Sequence, residues 1–286
     1  MASHYQLLDS GNFRKLEQVG PFRLVRPSPS AVWEPALPEK EWKKFDAEFV
    51  RYSDGNGDWK VNNPEIKKPW AVKIQGITFQ MKLTGFGHLG IFAEQEANWL
   101  QIREIIERTQ PTKEKPFRVL NLFAYTGGST LFAAAAGAEV VHLDASKTSV
   151  AWARENAELS GLKDCPVRWI VDDVQEFVEK EIRRGRTYHG IILDPPSYGR
   201  GQKNQVWKIE DHLTPLLKNL KKIMDADFGF MLLSSHSPGY TPVSLENQLK
   251  QICGAGLKAE FVSGEMVIHS EAGMALPSGA YSLMKR

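Results

Sequence analysis

From residue 118 onward the chain alternates strand-like and helix-like segments, and that alternation constrains its fold more than any other feature. RVLNLF leads into GSTLFAAAAG, EVVHLD into KTSVAWARENAELSG, and VRWIVDD into VQEFVEKEIRRG. YHGIILD meets PPSYGRG and then IEDHLTPLLKNLKKIM; FGFMLLSS meets HSPGY and then SLENQLKQICGAG. Short apolar runs bounded by turn residues predict buried strands, and longer periodic segments predict helices. Repeated βα units imply a mostly parallel sheet covered on both faces. The last two apolar segments, KAEFVSGEMVIH and GAYSLMKR, have no helix between them and predict an antiparallel edge hairpin. Upstream, EANWLQIREIIERT carries Trp99, Ile102, Ile105 and Ile106 at helical spacing, and PTKEKP reads as a linker.

Residues 1–85 differ. They are rich in Pro, Gly and Trp, with little helical periodicity. The prolines of RLVRPSPSAVWEP rule out a central strand or a helix interior. DGNGDWKV signals a loop or hairpin, AVKIQGITFQMKLT alternates around a Gly as a β-hairpin does, and EKEWKKFDAEFVRY is the one N-terminal helix expected. The expectation is an α/β domain over residues 86–286, preceded by a small β-rich module or extended arm over residues 1–85. That module has two open roles, binding substrate or pairing with another subunit as a homo-oligomer.

Composition narrows the partners. The chain holds 36 basic and 34 acidic residues, a net charge of +2, so a nucleic acid would have to be held by a local basic surface. The start, MASHYQLLDSGNFRK, lacks the apolar core of a signal peptide. No apolar run approaches ~18 residues, so no membrane partner is expected. Cys165 and Cys253 stand far apart, without CxxC or Cys/His spacing. Neither a disulfide scaffold nor a metal site is expected, and a reducing cytoplasm is the default setting.

In sheets of this kind ligands bind beyond the carboxyl ends of the strands. The turn after the first strand of the repeating region carries Gly127 and Gly128, which let backbone approach a ligand, and Ser129 or Thr130 can begin the next helix. The second strand ends in Asp144, placed to accept both hydroxyls of a ribose. The third ends in Asp172-Asp173-Val174, where a carboxylate can accept an adenine amine and the next N–H can read a ring nitrogen. No G-x-G-x-x-G and no G-x-x-x-x-G-K-[ST] is present to hold phosphates. The ligand implied is an adenosine bearing something other than phosphates, which S-adenosylmethionine (SAM) fits. An NAD(P)-dependent oxidoreductase is disfavoured by the same absence.

The most specific stretch is LDPPSYGRG. Asp194 ends the fourth strand and faces the same crevice. Pro195 and Pro196 carry no N–H, so the segment presents carbonyls and a carboxylate without competing donors. A planar base can lie against these prolines, with Tyr198 as a stacking face.

Taken together, FAYTGGST, HLDASK, WARENAELSGL, VDDVQEFV and DPPSYGRG resemble class I SAM-dependent methyltransferases, over roughly residues 88–240. The similarity is to the large-subunit ribosomal RNA methyltransferase group and its uncharacterised relatives, and it implies a Rossmann-like fold with SAM as cofactor. Motif I of that family falls on Asn121–Gly128, in a variant where aromatics replace two glycines. By resemblance, Phe123, Ala124, Tyr125, Thr126 and Gly127 line the methionine end. Asp144, Ser146 and Lys147 surround the ribose, Asp173 with Asp172 faces adenine, and Gln95 in GIFAEQEANW covers the cofactor. The implied catalytic set is Asp194, Pro195, Pro196 and Tyr198, with Asp194 also counted among the cofactor-binding residues.

The acceptor class is narrowed by chemistry. In the group that the chain resembles, cytosine-C5 transfer uses an attacking cysteine, and by that resemblance Ser235 stands about where the cysteine would be. Serine is a poor substitute because its alkoxide is scarce at neutral pH. Transfer to a nitrogen (or oxygen) needs in-line placement plus a proton acceptor, a role open to His236, which has a structural reading as well. RNA is the expected partner. Arg200, Lys203, Lys208 and Trp207 after the proline segment, and Lys60, Lys67 and Lys68 near Trp59 and Trp70, suit phosphates and unstacked bases. They suit equally a solvated loop with Trp residues packed between the two domains. A small-molecule or protein acceptor, and a non-catalytic SAM-binding RNA module, stay open alternatives.

Overall fold

The computed structural model describes residues 4–52, 56–201, 205–253 and 258–286. They form two compact units: the chain up to Glu96 with Val267–Ser278, and Ala97–Met266 with Gly279–Arg286. The first crossing follows Glu96, whereas the sequence reading placed it after residue 85. The sequence reading also gave the first unit no share of residues 267–278.

In the first unit β1 (Tyr5–Gly11), β2 (Arg14–Val19), β3 (Phe22–Pro27), β4 (Ala47–Arg51) and β5 (Gly57–Val61) form one sheet in chain order. All neighbours are antiparallel except β3 and β4. A parallel pair needs a crossover, and residues 28–46 supply it, including the one-turn α1 (Glu39–Trp42). Two expectations are corrected here. The helix expected over EKEWKKFDAEFVRY stops at Trp42; Ala47 and Phe49 then point inward while Glu48 between them is more exposed, a period of two. The prolines of RLVRPSPSAVWEP do not exclude a central strand, because Pro27 is the last residue of β3, where a missing N–H breaks no interior ladder. β6 (Trp70–Ile74) and β7 (Ile77–Met81) form the hairpin read from the alternation, turning on Gln75 (φ 47) and Gly76 (φ 93).

A buried ion cluster ties β2 to β3. Glu17 accepts from Arg26 Nε (2.6 Å) and Nη2 (2.7 Å) and from the Tyr5 hydroxyl (2.7 Å), with Lys15 Nζ at 3.2 Å. Burial alone would raise the Glu17 pKa, but Arg26 and then Lys15 outweigh it and hold the carboxyl at about 2. A depressed carboxylate contributes stability above its unfolded pKa, near 4.5, and loses it as pH falls toward 2. Glu17→Ala leaves the Arg26 charge buried and unpaired, so it is expected to cost about 3–5 kcal/mol at pH 7. Urea unfolding should show the gap between variant and wild type narrowing from pH 4.5 to pH 2; a constant gap refutes the electrostatic account.

The second unit follows the predicted alternation. β8 (Arg118–Leu122), β9 (Glu139–Asp144), β10 (Val167–Val171), β11 (Gly190–Leu193), β14 (Phe230–Ser235), β15 (Glu260–His269) and β16 (Ala275–Lys285) form a sheet in the order β10-β9-β8-β11-β14-β16-β15. The first five are parallel and β16 is antiparallel to β14. Successive residues of each strand feed opposite cores. Leu120, Ile191 and Met231 join α5 (Val174–Arg183), α6 (Ile209–Lys221) and α7 (Pro242–Cys253). Val119, Ile192 and Leu232 join α2 (Glu96–Thr109) and α3 (Gly128–Ala135). α4 (Lys147–Leu159) packs on β9 and β10. The proline segment continues into a small hairpin, β12 (Tyr198–Arg200) and β13 (Val206–Lys208), which the sequence reading missed. Among the described residues no helix is long and apolar enough to cross a membrane.

Candidate active site

Leu122 of β8 is level with Leu143 of β9 and Leu193 of β11. Phe123, Asp144 and Asp194 therefore leave the sheet side by side. β9 and β10 lie on one side of β8, β11 and β14 on the other, so the chain direction across the sheet reverses here. Such a switch point opens a crevice for a ligand.

The loop after β8 keeps a glycine-like backbone at two positions that are not glycine. Phe123 (φ 56) and Tyr125 (φ 48) are left-handed, as is Gly127 (φ 90). A bulky residue in that region costs about 1–3 kcal/mol and survives only where its surroundings over-determine it. They do. Ala124 N donates to Leu143 O (3.0 Å), Gly127 N to Ala124 O (3.0 Å), and Tyr125 N to Asp144 Oδ2 (2.8 Å). Asp144 Oδ1 accepts from Ser146 N (2.8 Å). Burial, outweighing these two bonds, raises the Asp144 pKa. A carboxylate has about four acceptor positions, so Asp144 can take two further donors, as a vicinal diol would offer. α3 begins at Gly128, with Gly127 as its N-cap, rather than at Ser129 or Thr130. A Cβ on Gly128 would stand 2.5 Å from the ring of Trp99, which stacks on Phe132.

Asn121 lies beneath this loop. It is buried, and its amide donates to Thr130 Oγ1 (2.8 Å), which is 2.9 Å from His142 Nδ1. Burial, then the charge of Arg154, pushes His142 down to about 3. The ring is neutral, and its Nδ1 and the Thr130 hydroxyl share one hydrogen bond. Asn156 Nδ2 donates to Thr126 O (2.9 Å) and fixes the far side of the turn.

At the next two strand ends the predicted residues stand together and also carry folding duties. The Ser146 hydroxyl caps α4 through Ser149 N (3.2 Å), and Lys147 is exposed beside it. Asp172 pairs with Lys180 Nζ (2.7 Å), while Asp173 Oδ1 caps α5 through Gln175 N (2.9 Å) and Glu176 N (3.0 Å). Val174, buried, is the first residue of α5. Gln95 belongs to the first unit, where it is buried in the single turn Ala93–Gln95.

Asp194 Oδ1 accepts from Ser234 Oγ (2.8 Å), and His236 Nδ1 is 3.6 Å from the same oxygen. Both partners come from the end of β14, the parallel neighbour of β11. After Asp194, Pro195 and Pro196 run to the hairpin. The Pro196 carbonyl accepts from Trp207 Nε1 (2.8 Å), and the Trp207 ring packs 4.7 Å from Phe123. Trp207 is thus a buried brace between the loop after β8 and the proline segment, which corrects its reading as a surface for bases. Tyr198 is 51% exposed, with Arg200 Nε donating to its hydroxyl (2.9 Å). Trp59 and Trp70 also turn inward: their indoles donate to Thr84 O and Val19 O, and their rings pack on Phe49 and Phe22. Lys203 lies outside the described residues. Ser235 is buried and accepts from Ser237 N. Sequence reasoning missed Ser234, His142 and Asn156, which carry no local signal. Trp207 had one, the V-W-K alternation of a short strand.

The comparisons with known proteins agree with this geometry. The family described as S-adenosylmethionine-dependent methyltransferase matches residues 42–245. A SAM-dependent methyltransferase structure from Agrobacterium tumefaciens aligns with TM-score 0.92 and 37% identity, over 99% of this chain and 91% of that one. Ribosomal RNA large subunit methyltransferase I of Aeromonas salmonicida is 31% identical over 136 residues, 47% of this chain and 32% of that protein. Ribosomal RNA large subunit methyltransferase K/L of Shewanella frigidimarina is 28% identical over 163 residues, 56% of this chain and 21% of that protein. The chain thus aligns with a third or less of the length of these two relatives. The strand-end acids, the glycine-like loop without a phosphate cradle, and the family match over most of the chain converge: this chain belongs to the S-adenosylmethionine-dependent methyltransferases.

Proposed function

We propose that this chain methylates a nitrogen of an RNA base, with ribosomal RNA as the acceptor. One observation carries the reading: Asp194, steadied by Ser234 and flanked by His236, stands one strand away from the loop clamped by Asp144. SAM supplies an electrophilic methyl group. In this reading Phe123–Gly128 hold its methionine end from a seat built on Asn121. Asp144, with Ser146 and Lys147, takes the ribose; Asp172, Asp173 and the Val174 N–H take adenine. Asp194 and the Pro195 carbonyl accept the hydrogens of the acceptor amine and aim its lone pair. The nitrogen loses a proton as it gains the methyl, and the His236–Asp194 pair is placed to receive it. Tyr198 stacks on the base, which must leave its helix at a cost of a few kcal/mol. Cys165 precedes β10 and Cys253 ends α7, so neither supplies the thiolate that carbon methylation requires.

The two curated relatives, both named for ribosomal RNA, support this acceptor. A reducing cytoplasm is the setting the reading implies. Mass mapping of modified nucleosides in cells with and without the gene tests it. One base-methylated nucleoside of large-subunit RNA should disappear and return on incubation with purified protein and SAM. RNA unchanged in both settings, with label from SAM entering protein or small molecules, overturns the RNA acceptor.

A further inference from the structure

With Trp59 and Trp70 turned inward, the first unit presents other aromatic rings to solvent: Phe86 is 73% exposed and Phe13 is 60% exposed. Both stand on tightly fixed turns. Gly11 pairs with Arg14, so Asn12 (φ 49) and Phe13 (φ 61) form a two-residue turn with both φ values positive. That turn favours glycine at its second position. A phenylalanine there is strained, and its exposure shows that packing does not repay the strain. Its backbone is pinned by Phe13 N to Ala31 O (2.8 Å) and Ser28 N to Phe13 O (2.7 Å).

Phe86 tips the turn closed by Gly87 N to Thr84 O (3.1 Å). Trp59 Nε1 donates to Thr84 O, the Thr84 hydroxyl to His88 O (2.8 Å), and Arg26 Nη1 to Gly87 O (3.0 Å). Arg26 is itself locked by buried Glu17. The Phe49 ring fills the place of a Gly87 Cβ. Loops usually move; this one is held from three sides while its apolar tip faces water.

The two turns share an anchor, since Ser28 and Arg26 are two residues apart at the end of β3. Two arginines stand by the turns: Arg14, which follows Phe13, lies over the Trp42 ring with Glu39 3.6 Å away, and Arg51 is exposed with its charge felt at His88, whereas Arg26 and Lys15 are taken up by Glu17. A protein-binding face has a contiguous apolar centre. Separate fixed rings among cations match single-stranded nucleic acid, whose bases stack and whose phosphates pair.

We infer that Phe13 and Phe86 are base-stacking platforms that hold single-stranded RNA on the first unit, with Arg14 and Arg51 serving its phosphates. This rests on the RNA reading of the function and extends it to a second contact area. The test measures fluorescence anisotropy of the full chain with a single-stranded RNA of about 15 nucleotides. Calorimetric SAM affinity and thermal unfolding run alongside. Phe13→Gly should weaken RNA binding about tenfold, with SAM affinity unchanged and the unfolding midpoint unchanged or raised. Phe86→Leu should weaken binding similarly, while Phe86→Trp retains it. RNA binding that survives Phe13→Gly and Phe86→Leu overturns the platforms and leaves the RNA acceptor standing. Equal loss in Phe86→Leu and Phe86→Trp overturns stacking as the cause. A wild-type chain that neither binds nor methylates RNA overturns both readings.

Discussion

Asp194→Asn is expected to lower kcat for methyl transfer by about 10²–10⁴-fold while SAM affinity stays within a few-fold of wild type. Asparagine keeps the shape and one oxygen, so the Ser234 hydroxyl still has its acceptor. What disappears is the negative charge to which the proposed mechanism gives the orienting of the acceptor amine and the proton passed toward His236, 3.6 Å away. Stopped assays with labelled SAM give kcat; calorimetry with SAM gives affinity. His236→Gln should cost less, because Asp194 still orients the amine. If the two act as a unit, the double variant should be no worse than Asp194→Asn alone. A SAM affinity that falls in step with kcat would instead place Asp194 in the cofactor's own contact set.

The sequence showed the sheet more clearly than the first unit, for a physical reason. Strands such as VVHL and GIIL are buried on both faces and read as nearly apolar runs, and each crossover helix is long enough to show its own period. β3 and β4 lack that clarity. β3 ends on a proline that looks disqualifying until its terminal place is known. β4 follows a charged stretch whose helical propensity is overridden by pairing with β3 and β5. The candidate site was legible at the acids that close the apolar strands, Asp144, Asp173 and Asp194. It was illegible where contacts bridge distant segments. Ser234 reaches Asp194 across forty positions, and Trp207 braces Phe123 from the far side of the proline segment. The paired glycines of the loop announced a turn; that Phe123 and Tyr125 would share the left-handed backbone of Gly127 could be seen only in the fold.

On the proposed reading, that backbone makes Asp144→Ala the variant expected to lose the most SAM affinity. Asp144→Ala removes the acceptor for Tyr125 N and Ser146 N together. An orphaned buried donor costs about 1–3 kcal/mol, and each charge-assisted bond lost to a ribose hydroxyl about 1.5–3 kcal/mol. SAM affinity should fall by about 10²-fold or more, read by calorimetry. Tyr125 then has a strained φ and no clamp, so its turn is expected to relax. Tyr125→Gly distinguishes the two causes, because glycine holds φ 48 without strain. If Asp144 works partly by holding the strained turn, Tyr125→Gly in the Asp144→Ala background restores part of the lost affinity, and the two changes are non-additive. Additive losses would mean that the carboxylate serves the ribose alone and that the turn keeps its shape without it.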